Sequence, residues 1–241
     1  DCPHRDACLY SAPKYYLGHF DAGETGWPLN VVCQEPTRDK LLAAMSVLLR
    51  PEDTLVLCGD ISWGMTLGEA LPDFMLLDGL PGKKLMLKGN HDYWWETVSK
   101  MHRFFGENGI HTLDFLHNNS FSYQDIALCG TRGWFFDPGD PDAGDDKIFR
   151  RELIRLEQSL RCAAAGTPRE IWCFLHYPPV FAGTEVPQIT ALLRKYGVTR
   201  CYYGHLHGES LRGAFSGERG GVLYRVVSAD ALGFTPLKIA E

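Results

Sequence analysis

Short apolar runs recur along the chain, and each stops at a glycine or a polar residue. Residues 54–58 (TLVLC), 84–87 (KLML), 171–175 (IWCFL) and 200–203 (RCYY) have this form, which predicts brief buried strands. Other stretches carry their apolar residues at helical spacing. Leu41, Leu42, Met45, Leu48 and Leu49 fall on one face of a helix over 37–50, with Thr37 at its N-cap. Phe149, Leu153, Leu156 and Leu160 do the same over 145–163, where Glu157 and Arg161 are spaced to pair along the helix. A shorter helix is expected over 187–196. Residues 121–130 (FSYQDIALCG) read as a hairpin and 222–228 (VLYRVVS) as a further strand. Strands alternating with helices predict an α/β fold with parallel pairing, and the antiparallel pieces predict a mixed sheet. No internal repeat or linker interrupts the pattern, so residues 1–241 read as a single domain. The stretch 137–146 (DPGDPDAGDD) is turn-rich and acidic and reads as a solvated loop. The first 36 residues show no clear period.

The predicted strands end alike. TLVLC runs into Gly59-Asp60, KLMLK into Gly89-Asn90-His91-Asp92, IWCFL into His176, and RCYY into Gly204-His205-Leu206-His207-Gly208. In open α/β sheets the carboxyl ends of the strands form the ligand crevice. Asp60, Asn90, His176, His205 and His207 are therefore expected to converge although they are distant in sequence. Each motif alone has a plain reading: a turn, a core histidine, or a helix N-cap at Asn90 or Asp92. Their shared position at strand ends favours a common metal site. Carboxylate, amide oxygen and imidazole suit Mn, Fe or Zn. Five protein ligands exceed the roughly three that one catalytic ion takes. Two ions about 3.5–4 Å apart use the set better, with Asp60, the only carboxylate of the five, as the bridge.

Composition narrows the partners. The formal net charge is −6 and no Lys/Arg-rich block occurs, which argues against a reader of the nucleic-acid backbone. A small anionic substrate is compatible, because bound metal supplies positive charge locally. No run approaches the roughly 18 apolar residues of a spanning helix, and the first residues lack the apolar core of a signal peptide. The eight cysteines include no CxxC pair, and four of them (Cys58, Cys129, Cys173, Cys201) lie in strand-like runs. A reduced, cytoplasmic protein is expected. Oligomeric state is not readable.

In order and spacing these motifs resemble the calcineurin-like metallophosphoesterases, whose signature is D-x-H, G-D, G-N-H-D/E, a lone His, and G-H-x-H. The flanks GDISWGM, LKGNHDYWW, GTRGW, LHYPP and YGHLHG resemble a bacterial branch of predicted phosphohydrolases in that family. The resemblance implies a four-layer α/β/β/α sandwich of two mixed β-sheets flanked by helices. It also implies a dinuclear centre whose bridging hydroxide attacks phosphorus in line. By motif, Asp60 bridges both ions. Asn90, His176 and His205 hold one, and His207 with the first motif holds the other. His91 sits over the phosphoryl group as hydrogen-bond or proton donor, and Asp92 orients His91. Arg132, in GTRGW, is placed to clamp a phosphate oxygen. Trp63, Trp94, Trp95, Trp134 and Tyr177 follow the motifs closely, either as a stacking collar or, more simply, as packing over the elements that leave each motif.

The first motif departs from the family. Asp6-Ala7-Cys8-Leu9 fits D-x-H-L with Cys in the His position, and no apolar strand precedes it. The first strand is thus missing or degenerate within residues 1–8. Three readings stand side by side: Cys8 as a thiolate ligand beside Asp6, Cys8 as a bystander, or an altered amino terminus. The expected function is a metal-dependent phosphoester hydrolase using two divalent ions, manganese among the candidates. The alternative is a catalytically weak relative that binds metal or nucleotide in a regulatory or scaffolding role, and a nuclease is a second rival.

Overall fold

The computed structural model describes residues 37–135 and 146–240. Asp6, Cys8, the expected first strand and the acidic loop up to residue 145 lie outside the described residues. The chain divides into two compact units: Asp1–Phe115 with His207–Glu209 and Ser228–Glu241, and Leu116–Leu206 with Ser210–Val227. Each unit is built on its own sheet.

In the first unit, α1 (Thr37–Leu48) leads into β1 (Thr54–Leu57), α2 (Leu67–Asp78), β2 (Lys83–Met86), α3 (Val98–Glu107) and β3 (Leu113–Phe115). The strands lie in the order β1-β2-β3 and pair in parallel. Parallel neighbours joined through helices bring their carboxyl ends to one edge. Leu57 is the register partner of Met86, so the segments that follow them start side by side. Leu41 and Met45 of α1, Phe74 and Leu77 of α2, and Met101 and Phe105 of α3 form the core with Met86 and Phe115. Leu48, expected on the buried face, is 50% exposed at the end of the helix, and Leu49 just beyond it packs on the core instead. Helix α2 is capped reciprocally: Thr66 Oγ1 accepts from Glu69 N (3.3 Å) and Glu69 Oε2 accepts from Met65 N (2.8 Å). Lys84 is wholly buried within β2. Its ammonium donates to Leu80 O and to Thr112 Oγ1, as a buried cation requires.

The second unit contains β4 (Ser120–Tyr123), β5 (Ile126–Thr131), α4 (Asp146–Ala165), β6 (Glu170–Leu175), β7 (Val180–Phe181), β8 (Thr184–Glu185), α5 (Pro187–Lys195), β9 (Val198–Tyr203), β10 (Gly217–Arg219) and β11 (Val222–Val226). Six strands form one sheet in the order β10-β11-β9-β6-β5-β4, with β7 and β8 paired apart. The inner pairs are parallel and both outer pairs antiparallel. The hairpin expected over 121–130 is the β4–β5 pair. Mixed pairing is therefore found in this sheet, whereas the first is parallel over its described strands. The register Thr131–Leu175–Tyr203 aligns the carboxyl ends of β5, β6 and β9. Cys129, Cys173 and Cys201 are register neighbours on these strands and share a core with Leu156 and Leu160 of α4 and Ile189 and Leu193 of α5. Glu157 pairs with Arg161 at 3.6 Å as its spacing predicts, and also with Lys195 at 2.7 Å. No described helix is long and apolar enough to cross a membrane.

Candidate metal centre

Past β1 the chain turns sharply at Gly59 and Asp60, with φ of 94° and 56°. A non-glycine residue in this left-handed region costs roughly 1–2 kcal/mol, so its surroundings must hold it there. They do so through Asp92, thirty-two residues on, which is fully buried beneath the turn. Asp92 Oδ2 accepts from Asp60 N (2.8 Å) and Gly89 N (2.7 Å). Its Oδ1 accepts from Ile61 N (2.7 Å), Ser62 N (3.2 Å) and Trp94 Nε1 (3.1 Å). One carboxylate thus ties the Gly-Asp turn to the Gly-Asn-His-Asp turn. Burial and the neighbouring Asp60 charge push Asp92 up to about 7, against the pull of the backbone N–H groups.

The glycine of the second turn has its own reason. A Cβ at Gly89 would meet the Asp60 carboxylate and stand 2.7 Å from its Cγ. Asp60 Oδ1 in turn accepts from His91 N (2.9 Å). Asn90 is half-buried between them. Neither Asn90 nor Asp92 caps a helix: α3 begins later, at Val98, capped by Thr97. The orienting part assigned to Asp92 by motif is also not what its oxygens do. The His91 ring instead has Tyr93 Oη 3.2 Å from Nδ1 and Trp63 stacked on its face.

His207 belongs to this unit. Burial lowers its pKa below the usual histidine value, with Asp230 and Asp60 pulling upward and His91 adding to the fall. Asp230 also accepts from Gly208 N (2.7 Å) through Oδ2. Nothing in the sequence around Asp230 marks it, and only the chain path brings it beside the histidine.

In the second unit the aligned ends of β5, β6 and β9 are followed by Arg132, His176 and Gly204-His205. His176 is fully buried. Its N–H and that of Tyr177 both donate to Arg132 O (3.1 and 3.0 Å). His205 has φ 66°, so a second expected ligand holds a left-handed backbone. His176 Nε2 and His205 Nδ1 stand 3.2 Å apart. Two nitrogens bonded to one ion at roughly 2.0–2.1 Å fall about 3–3.5 Å apart, so this pair fits a transition-metal ion.

Arg132 projects from the same edge. Its Nη2 donates to Tyr177 Oη (3.4 Å), its guanidinium lies 5.5 Å from the Tyr177 ring centroid, and its Nε is buried with no hydrogen-bond partner among the described residues. The turn carrying it is held by buried Glu152, which accepts from Thr131 Oγ1 (2.7 Å) and Gly133 N (2.9 Å). Sequence reading missed Glu152, whose helix position carries no mark of this task.

The structure thus brings Asp60, His91, Asp92 and His207 together in the first unit, and Arg132, His176 and His205 in the second. Of the aromatic residues, Trp94 is buried in the core as the packing reading expects, and Trp95 packs against that core. Among the described residues, Trp63 lies in neither hydrophobic cluster.

A sequence model of the calcineurin-like phosphoesterase family matches residues 21–209. The chain belongs to that family, and its mixed α/β architecture is that of a metallophosphatase fold. No functionally curated protein matches it. Among solved structures it is similar to a protein of unknown function, AQ665, from Aquifex aeolicus, at 14% identity and a TM-score of 0.42, covering 85% of this chain and 82% of that one. It is also similar to a second crystal structure, at 13% identity and a TM-score of 0.52, covering 79% of this chain and 84% of that one.

Proposed function

We propose that this chain is a hydrolase of phosphoesters that works with two divalent metal ions held by Asp60, Asn90, His176, His205 and His207. What carries the reading is the family match, which spans every one of these residues and runs through both units. It supports treating the whole chain as one metallophosphoesterase domain. The 3.2 Å separation of the His176 and His205 nitrogens adds support, because it suits two ligands of one ion. When bound, the ions would lower the pKa of water to generate the nucleophile and would neutralise phosphate charge.

The protein's own groups do the rest. Asp60 supplies the negative charge that holds cations. Arg132 offers a buried Nε and a planar guanidinium suited to a phosphate oxygen. His91 gives a proton to the leaving oxygen. The substrate in this reading is a small phosphorylated molecule. A net charge of −6 without a basic block supports that over a nucleic acid. Cys129, Cys162 and Cys201 are free thiols, which supports a cytoplasmic setting.

The test is metal content per chain by elemental analysis of protein purified without chelator, with turnover of an aryl phosphate in added manganese. Two transition-metal ions with turnover are expected. One ion or none, with no turnover in excess metal, overturns the reading in favour of a binding relative.

A further inference from the structure

The ring of His91 is held on two sides by residues that no motif assigns to the chemistry. The Trp63 indole stacks on it at a centroid distance of 4.0 Å and an interplanar angle of 15°. Tyr93 Oη is 3.2 Å from its Nδ1. The two holders also brace each other, Trp63 against Tyr93 edge-on at 6.2 Å and 84°.

Both come from segments that are themselves fixed. Trp63 follows Ser62, whose N–H is bound to Asp92, and precedes Gly64, where a Cβ would stand 2.7 Å from Ala70 N. Tyr93 N donates to His91 O (2.9 Å), and His91 N is bound to Asp60. Among the described residues, Trp63 belongs to neither hydrophobic cluster, and Tyr93 is 49% exposed whereas the neighbouring Trp94 is 1% exposed.

We infer that Trp63 and Tyr93 are positioning residues that aim the His91 imidazole at the leaving-group oxygen, and so decide how well the protein hydrolyses esters of basic alcohols. The inference rests on the hydrolase reading. In the imidazolium that serves as general acid, Nδ1–H donates to Tyr93 Oη and the transferable proton sits on Nε2, while the indole fixes the ring plane. In the step they serve, water adds its oxygen to phosphorus. The bond from phosphorus to the leaving oxygen breaks with its electron pair on that oxygen, which takes the proton from His91 Nε2. The proton shed by the water restores the ring. An aryl oxide leaves with little help, whereas an alkoxide needs the proton. A ring left to swing costs most where the proton matters most, since a misplacement of about 1 Å costs on the order of a hundredfold.

The experiment compares Trp63→Leu, Trp63→Phe and Tyr93→Phe with the unaltered holoprotein on an aryl phosphate and an alkyl phosphate. The same changes are then made in a His91→Asn background, with metal content measured throughout. In Trp63→Leu, kcat for the alkyl ester should fall roughly ten- to hundredfold while kcat for the aryl ester, both KM values and metal content hold. Trp63→Phe should recover part of the loss. In the His91→Asn background neither change should lower the rate further, because residues acting through one group are not additive. Equal losses on both esters, loss of metal, or a further fall in the His91→Asn background overturns the positioning role and leaves the hydrolase reading standing. Absence of turnover by the unaltered protein on both esters in excess manganese overturns the hydrolase reading, and the positioning role falls with it.

Discussion

The carboxylate of Asp60 occupies the space that a side chain on Gly89 would need. A Cβ there would stand 2.7 Å from Asp60 Cγ and collide with the carboxylate oxygen. The glycine that follows one strand and the aspartate that follows its neighbour are therefore one device, made possible by the parallel register of Leu57 with Met86. Gly89→Ala should displace Asp60, destabilise the protein by about 1–3 kcal/mol and lower metal content. Thermal unfolding with elemental analysis checks both, and a variant with unchanged metal would show that Asp60 has room to yield.

Asp92 should prove structural first. Its two oxygens accept five N–H groups from Asp60, Ile61, Ser62, Gly89 and Trp94. Asp92→Ala leaves these buried donors without their acceptor and should cost about 3 kcal/mol or more. Denaturant titration reads the loss. A change below about 1 kcal/mol would mean that the turns keep their shape without it.

His91 and Asp60 should separate chemistry from metal binding. His91→Asn is expected to keep its metal and to lose turnover by roughly a hundredfold or more. Asp60→Asn is expected to lose most of its metal, because a buried negative charge disappears from the centre. Metal loss in the first variant, or unchanged stoichiometry in the second, would exchange or cancel these assignments.

Away from the site, Asp78 should set part of the acid limb of stability. Burial alone would raise its pKa, but the Thr112 hydroxyl, the Thr112 and His111 amides and the Lys84 charge together hold it below the ordinary value. A carboxylate with a depressed folded-state pKa contributes stability that is present above its unfolded value and is lost as pH falls through the folded one. Unfolding free energies of the unaltered protein and Asp78→Asn should therefore differ most near neutrality and converge below about pH 4. A difference that persists unchanged into acid would assign the effect to packing rather than charge.

Much of the scaffold is legible because its strands are short apolar runs bounded by glycine or polar residues. β1, β2, β6 and β9 lie within two residues of where the pattern puts them. Helix α4 carries the Glu157–Arg161 pair its spacing implies. Helix α2 is not announced: it is largely apolar and contains Pro72, a residue that reads as a helix breaker. Strands β3, β7, β8 and β10 have only two or three residues each, too few to show a period of two.

The sequence by itself determined the identity and order of the chemical groups, because each follows a recognisable strand end: Asp60, Asn90, His91, His176, His205 and His207. Tertiary structure alone decided what those groups lean on. Asp92 serves backbone amides some thirty positions away, Trp63 lies against His91, and Asp230 stands by His207. Residue type and spacing encode local conformation and candidate chemistry. A hydrogen bond or ring stack between remote segments exists only once parallel pairing has set their strands in register.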